Sequence, residues 1–83
     1  MIVKRQSYDE HARLETRWTP NVTSAEVVWD DEWQSDVLRV HIAAENPNPC
    51  DELVVLDRGE GVYLCNDEGK TVEVLSRLRH PDR

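Results

Sequence analysis

Residues 52–75 read ELVVLDRGEGVYLCNDEGKTVEVL. Three short apolar runs, ELVVL (52–56), GVYLC (61–65) and KTVEVL (70–75), stand between the turn-forming stretches DRGEG (57–61) and NDEG (66–69). Each run is too short for a helix and is rich in Val, Leu or Tyr, so each reads as a strand. Glycine-containing turns of this length join antiparallel neighbours, so the segment predicts a three-stranded meander. On a hairpin turn at 57–61, Cys65 falls opposite residue 53 and not Cys50, which argues against a disulfide between the two cysteines.

Upstream the same logic continues. DVLRVHIAAE (36–45) alternates, with Leu38, Val40, Ile42 and Ala44 on one face and Val37, Arg39, His41 and Ala43 on the other. That is the pattern of a half-buried strand. AEVVW (25–29) supplies a further strand, joined to it by a loop near 30–36. Punctuation at TPN (19–21) and NPNP (46–49) isolates these pieces. The first eighteen residues admit two readings. Ser7 to Glu10 fits a helix-capping box. Residues 12–18, however, alternate Ala12, Leu14, Thr16 and Trp18 against Arg13, Glu15 and Arg17, and Thr, Trp and the following Pro20 suit a strand. The expected fold is mainly β: one domain over residues 1–83, a small antiparallel barrel or sandwich of five to six short strands. One short helix is allowed, with α+β as the alternative, and residues 77–83 form a frayed basic tail.

At 83 residues the margin of stability is thin, because a chain this short buries only about 60 % of its unfolded surface. Phe is absent, so Tyr8, Trp18, Trp29, Trp33 and Tyr63 either supply the large apolar area of the core or turn outward to a partner. No apolar run is long enough to span a membrane. The two basic residues near the N-terminus have no apolar stretch behind them, as a secretory signal requires, so the expected location is the cytoplasm.

The net charge of −7 is uneven. Residues 1–17 carry Lys4, Arg5, Arg13 and Arg17 against Asp9, Glu10 and Glu15, a balance of +1. Residues 77–83 stand at +2, whereas residues 18–76 set 13 acids against Arg39, Arg58 and Lys70, a balance of −10. Such a field repels nucleic acid and attracts basic protein surfaces.

Dedicated chemistry finds little support. Gly59-Glu60-Gly61 offers G-x-G, but the third glycine position is Leu64 and Glu60 repels phosphate. Asp57, Glu60, Asp67 and Glu68 miss the alternating spacing of a calcium loop. Cys50, Cys65, His11, His41 and His80 form no paired zinc pattern. No cofactor or metal is expected. A cysteine-dependent enzyme using Cys50 or Cys65 is the minor alternative to a non-enzymatic role.

The stretch that invites a function is VVWDDEWQSD (27–36). Trp29 and Trp33 bracket Asp30, Asp31 and Glu32, with Asp36 close behind. Aromatic rings give contact area and cation–π attraction, and carboxylates give steering and ion pairs toward Arg or Lys. The expected role is an acidic interaction protein that blocks a basic, nucleic-acid-binding type of surface on a partner protein. Small acidic inhibitors of viral or mobile-element origin act in this way. Trp29 and Trp33 are its anchors, Asp30, Asp31, Glu32 and Asp36 its ion-pairing groups, and Glu45, Asp51 and Glu52 extend the field. The alternative is an assembly module that oligomerises through a sheet edge, with residues 12–18 as the exposed edge.

Overall fold

The alternation of residues 36–42 does produce a strand, and it lies at the centre of a sheet. In the computed structural model, which describes residues 1–43, 50–56 and 59–79 (50 and 51 by backbone alone), seven strands form. They are β1 (Ile2–Tyr8), β2 (Leu14–Thr19), β3 (Val22–Asp30), β4 (Ser35–Ile42), β5 (Cys50–Leu56), β6 (Gly61–Cys65) and β7 (Thr71–Ser76), and no helix occurs among the described residues. They make two antiparallel sheets, one ordered β2-β1-β6-β7 and the other β3-β4-β5. This is a two-sheet, sandwich-like β fold rather than a closed barrel.

Aliphatic side chains from both sheets fill the interior. Val3, Val62 and Leu64 of the first meet Val22, Leu38, Val40 and Leu56 of the second, and Ala25, Val27, Ile42, Val54 and Leu75 pack around them. None of the three tryptophans enters: Trp18, Trp29 and Trp33 are each more than half exposed. Of the two placements expected for these rings, the tryptophans take the outward one. Branched aliphatics on alternate strand positions fill the space between two small sheets unaided.

The meander expected over 52–75 is half right. β6 and β7 do form a hairpin, but β5 pairs with β4 and β6 pairs with β1. The chain crosses from one sheet to the other between Leu56 and Gly61 instead of turning back on itself. Gly59, with φ of 69°, bends this crossing, and its carbonyl accepts the Arg79 amide at 2.9 Å. The register argument against a Cys50–Cys65 disulfide fails with the hairpin, because the two residues lie on different sheets. Burial also marks β6 as a central strand: Gly61, Val62, Leu64 and Cys65 are all buried, on both of its faces.

The N-terminal ambiguity resolves to strand, with an additional strand before it. β1, whose sequence IVKRQSY is mostly polar, lies between β2 and β6. Ser7–Glu10 does not cap a helix. Asp9 Oδ1 accepts the amides of His11 and Arg13 at 2.8 and 2.9 Å, and Ala12 takes the left-handed region at φ 59°. Asn66 builds the same turn between β6 and β7, accepting the amides of Glu68 and Lys70 at 3.0 Å with Gly69 at φ 86°. An Asx side chain that bonds the backbone ahead of it closes both hairpins. At the other end of β1 the chain locks to the second sheet. The Val22 amide donates to the Met1 carbonyl at 2.8 Å, and the terminal ammonium donates to the Val22 carbonyl at 3.0 Å.

Residues 77–79 follow β7 without helix, and Leu78 and Arg79 lie close to Gly61 and Gly59. The part of the basic tail beyond them is outside the described residues. No helix among the described residues is long and apolar enough to cross a membrane.

Candidate protein-binding surface

The WDDEW segment forms the tip of the β3–β4 hairpin. Trp29 lies opposite Asp36 and Asp30 opposite Ser35, and residues 31–34 make the turn. Asp30 holds the turn in shape: its Oδ1 accepts the amides of Glu32 at 2.9 Å and Trp33 at 3.3 Å. Gln34 adopts φ 50° and donates its side-chain amide to the Asp31 carbonyl. Trp29 Nε1 donates to Asp31 Oδ1 at 2.9 Å, which fixes the indole beside the turn. Trp29 is 59 % and Trp33 58 % exposed, although both are apolar and large. The tip therefore presents two exposed indoles, that of Trp29 held by its bond to Asp31, with a run of carboxylates between them.

Asp30 has two roles, which a pair of substitutions separates. Asp30→Ala removes the one oxygen that accepts both amides and is expected to lower stability by about 1 kcal/mol, the usual net worth of such bonds. Asp30→Asn keeps an acceptor oxygen and is expected to leave stability nearly unchanged while removing the charge. Urea denaturation of the two variants checks this.

The remaining site residues fall into three groups. Asp36 is half-buried between Trp29 and Leu56 on the neighbouring strands, at the base of the tip. Glu52 pairs with Val40, four residues along β4 from Asp36; at a strand rise of about 3.3 Å per residue this is about 13 Å away. Glu52 thus lies apart from the tip, and the adjoining backbone position, Asp51, goes with it. Glu45 is outside the described residues.

The outer face of the second sheet, opposite to the face that carries Trp29, holds apolar residues that the spacing of acids did not reveal. On the outer face of the second sheet, Val28, Val37 and Val55 stand in a row across three strands, and Glu26, Arg39 and Leu53 form the next row. Val28 and Leu53 are exposed, and Arg39 Nη1 lies 3.9 Å from Glu26 Oε1. The signal was present in the consecutive Val27-Val28 and Leu53-Val54, since adjacent strand residues face opposite ways and one of each pair must point outward.

A second exposed aromatic group occupies the outer face of the first sheet. Trp18, Lys4, Tyr63 and Val74 form one row over all four strands. The Lys4 ammonium sits 5.6 Å from the Trp18 ring centre and 5.0 Å from that of Tyr63. Of its two expected placements, core or surface, Trp18 takes the surface: it is 52 % exposed.

Elsewhere, Cys65 is fully buried, its Sγ 3.9 Å from both the Tyr63 carbonyl and Thr71 Oγ1. A cleft of about 490 Å³ beside the β1–β2 hairpin is lined by Ser7, His11, Arg5, Arg17 and Glu60, among others. Ser7 and His11 are not hydrogen-bonded to one another there. Among the described residues, no three His, Cys, Asp or Glu side chains converge as metal ligands would. Comparison with known proteins gives no match to a family model, to a curated protein or to a solved structure.

Proposed function

We propose that this chain is a non-enzymatic interaction protein whose β3–β4 hairpin tip docks on a basic surface of a partner protein in the cytoplasm and blocks it. The observation that carries the reading is the exposure of Trp29 and Trp33 on a turn stiffened by Asp30 and Asp31. A large ring held at the surface, as Trp29 is by Asp31, loses little entropy on binding, which is the character of an interface anchor. The acidic balance of residues 18–76 supplies long-range attraction to Arg and Lys and repels other acidic surfaces. Glu32, exposed on the turn between the two indoles, belongs to the charged rim of the tip. A target that otherwise binds nucleic acid is the natural partner, because carboxylates at this density compete with phosphates for the same guanidinium groups.

A pull-down at low and high salt identifies the partner, and titration of the purified partner measures the site. Trp33→Ala is expected to weaken binding by about 2 kcal/mol, roughly 30-fold. Asp30→Asn is expected to lower affinity mainly at low salt, and nucleic acid is expected to compete. A partner that binds Trp33→Ala as tightly as the parent chain, or whose binding does not change with salt, removes the reading.

A further inference from the structure

β2 is an open edge of the four-stranded sheet, and its backbone direction can be read from the hairpin that begins it. The Asp9 amide donates to the Arg13 carbonyl at 2.9 Å, which makes Asp9/Arg13 a bonded pair. Bonded and non-bonded pairs alternate along an antiparallel ladder. With the observed register, Ser7/Glu15, Arg5/Arg17 and Val3/Thr19 are the bonded pairs. Glu15, Arg17 and Thr19 therefore direct their N–H and C=O groups toward β1, and Leu14, Thr16 and Trp18 direct theirs outward. Those outward groups can accept another strand.

The side chains specify which strand. We infer that β2 pairs antiparallel with β2 of a second copy of this chain, on a two-fold axis through Thr16. Thr16 then faces its own copy, and Leu14 faces Trp18 of the other molecule; both are bonded pairs, each exchanging two N–H···O bonds. On the opposite face, Glu15 of each copy stands against Arg17 of the other. Sliding the axis to Glu15 sets Glu15 against its own copy, and sliding it to Arg17 does the same for arginine. Axes between residues oppose an outward backbone to an inward one and make no ladder. An axis through Leu14 also opposes unlike charges, Glu15 to Arg13, but Arg13 already pairs with Asp9. Thr16 would then face Ala12, whose φ of 59° lies outside the strand. The Thr16 axis satisfies backbone and charge with strand residues alone, and symmetric closure is the usual form of such an interface.

Three observations point to this occupant. Of the four edge strands, β2, β3, β5 and β7, only β2 carries side chains of both signs. Leu14 and Trp18 are each about half exposed on the face that would join. Among the described residues, Glu15 and Arg17 make no ion pair within the chain, and Arg17 lies directly opposite Arg5, a like-charge placement that sheets avoid. A Glu15 from a second copy relieves it. The product is one continuous eight-stranded sheet with two copies of the hairpin tip, and its formation does not depend on what the tip binds.

Charge exchange tests the register. Sedimentation velocity is expected to show a dimer of the parent chain in the micromolar range. Glu15→Arg and Arg17→Glu are each expected to give a monomer with an unchanged strand-type circular dichroism spectrum, because each opposes like charges. An equimolar mixture of the two monomers is expected to yield a heterodimer. In that mixture the positive charge introduced at position 15 of one variant meets the negative charge introduced at position 17 of the other, and the retained Glu15 and Arg17 meet each other. The double exchange in one chain is expected to dimerise again. A parent chain that stays monomeric throughout the range overturns the proposal, as does a dimer that survives both single exchanges.

Discussion

Leu38→Ala is expected to cost about 2–5 kcal/mol of folding stability, the range for truncating a fully buried leucine. Leu38 is fully buried at the centre of the three-stranded sheet, between Val27 on β3 and Val54 on β5. It belongs to the cluster that joins the two sheets, together with Val3, Val62 and Leu64. No aromatic side chain lies in that cluster to lean into a vacated space, so the cavity persists and its cost adds to the lost transfer energy. Native domains are stable by only about 5–15 kcal/mol, and one of 83 residues belongs at the lower end. The variant is expected to be partly unfolded at ambient temperature, with a urea midpoint far below that of the parent chain. Leu53→Ala is the matched control: Leu53 is 57 % exposed on the outer face of the same sheet, and its truncation is expected to change stability by no more than about 0.5 kcal/mol. Equal effects at the two positions would contradict the assignment of faces.

The contrast between Leu38 and Leu53 also marks what the sequence could reveal. Face parity was readable, because strict alternation over 36–42 leaves one solution, and the strand character of 12–18 followed from the same rule. The partition into two sheets was not. Asp, Arg and Gly at 57–61 suit a hairpin turn and a crossing between sheets equally well, and only the long-range pairing of β6 with β1 decides between them. That pairing was hidden because β1 has a polar sequence, with Lys4, Arg5, Gln6 and Ser7 in succession. The hairpin tip was legible because its residues are contiguous. Its supposed extension was not, since Glu52 and Asp36 approach in sequence pattern but sit at different levels of the sheet. The exposure of the tryptophans depends on how far one sheet covers the other, which alternation does not encode: Trp29 shares the face of Val27 but lies beyond the edge of the core.

The glycines of the 57–69 stretch give a second large effect, because one substitution meets three different obstacles there. At Gly69 a Cβ meets nothing within 4 Å, and only the φ of 86° opposes it. Gly69→Ala is therefore expected to cost about 1 kcal/mol, the lower part of the penalty for a left-handed alanine. At Gly61 the backbone is unexceptional, but a Cβ lies 2.8 Å from the Tyr63 hydroxyl and 3.0 Å from Leu78 Cβ. The tyrosine tip can swing away; the leucine Cβ moves only with its backbone, so Gly61→Ala is expected to cost about 1–3 kcal/mol. Gly59 combines both obstacles, with φ of 69° and a Cβ 2.9 Å from Arg79 Cβ. Relieving that contact moves the residue whose amide donates to the Gly59 carbonyl, so the segment after β7 must detach from the crossing. Gly59→Ala is expected to be the most damaging of the three, at about 2–4 kcal/mol from strain and overpacking together. Asparagine separates the two causes, since it tolerates the left-handed region better than alanine does. Gly69→Asn is expected to recover most of the loss seen with alanine, and Gly59→Asn to recover little, because the Cβ contact remains. Thermal unfolding of the five variants gives the ranking, and a Gly59→Ala no worse than Gly69→Ala would mean that the chain does not run against Arg79 where β5 crosses to β6.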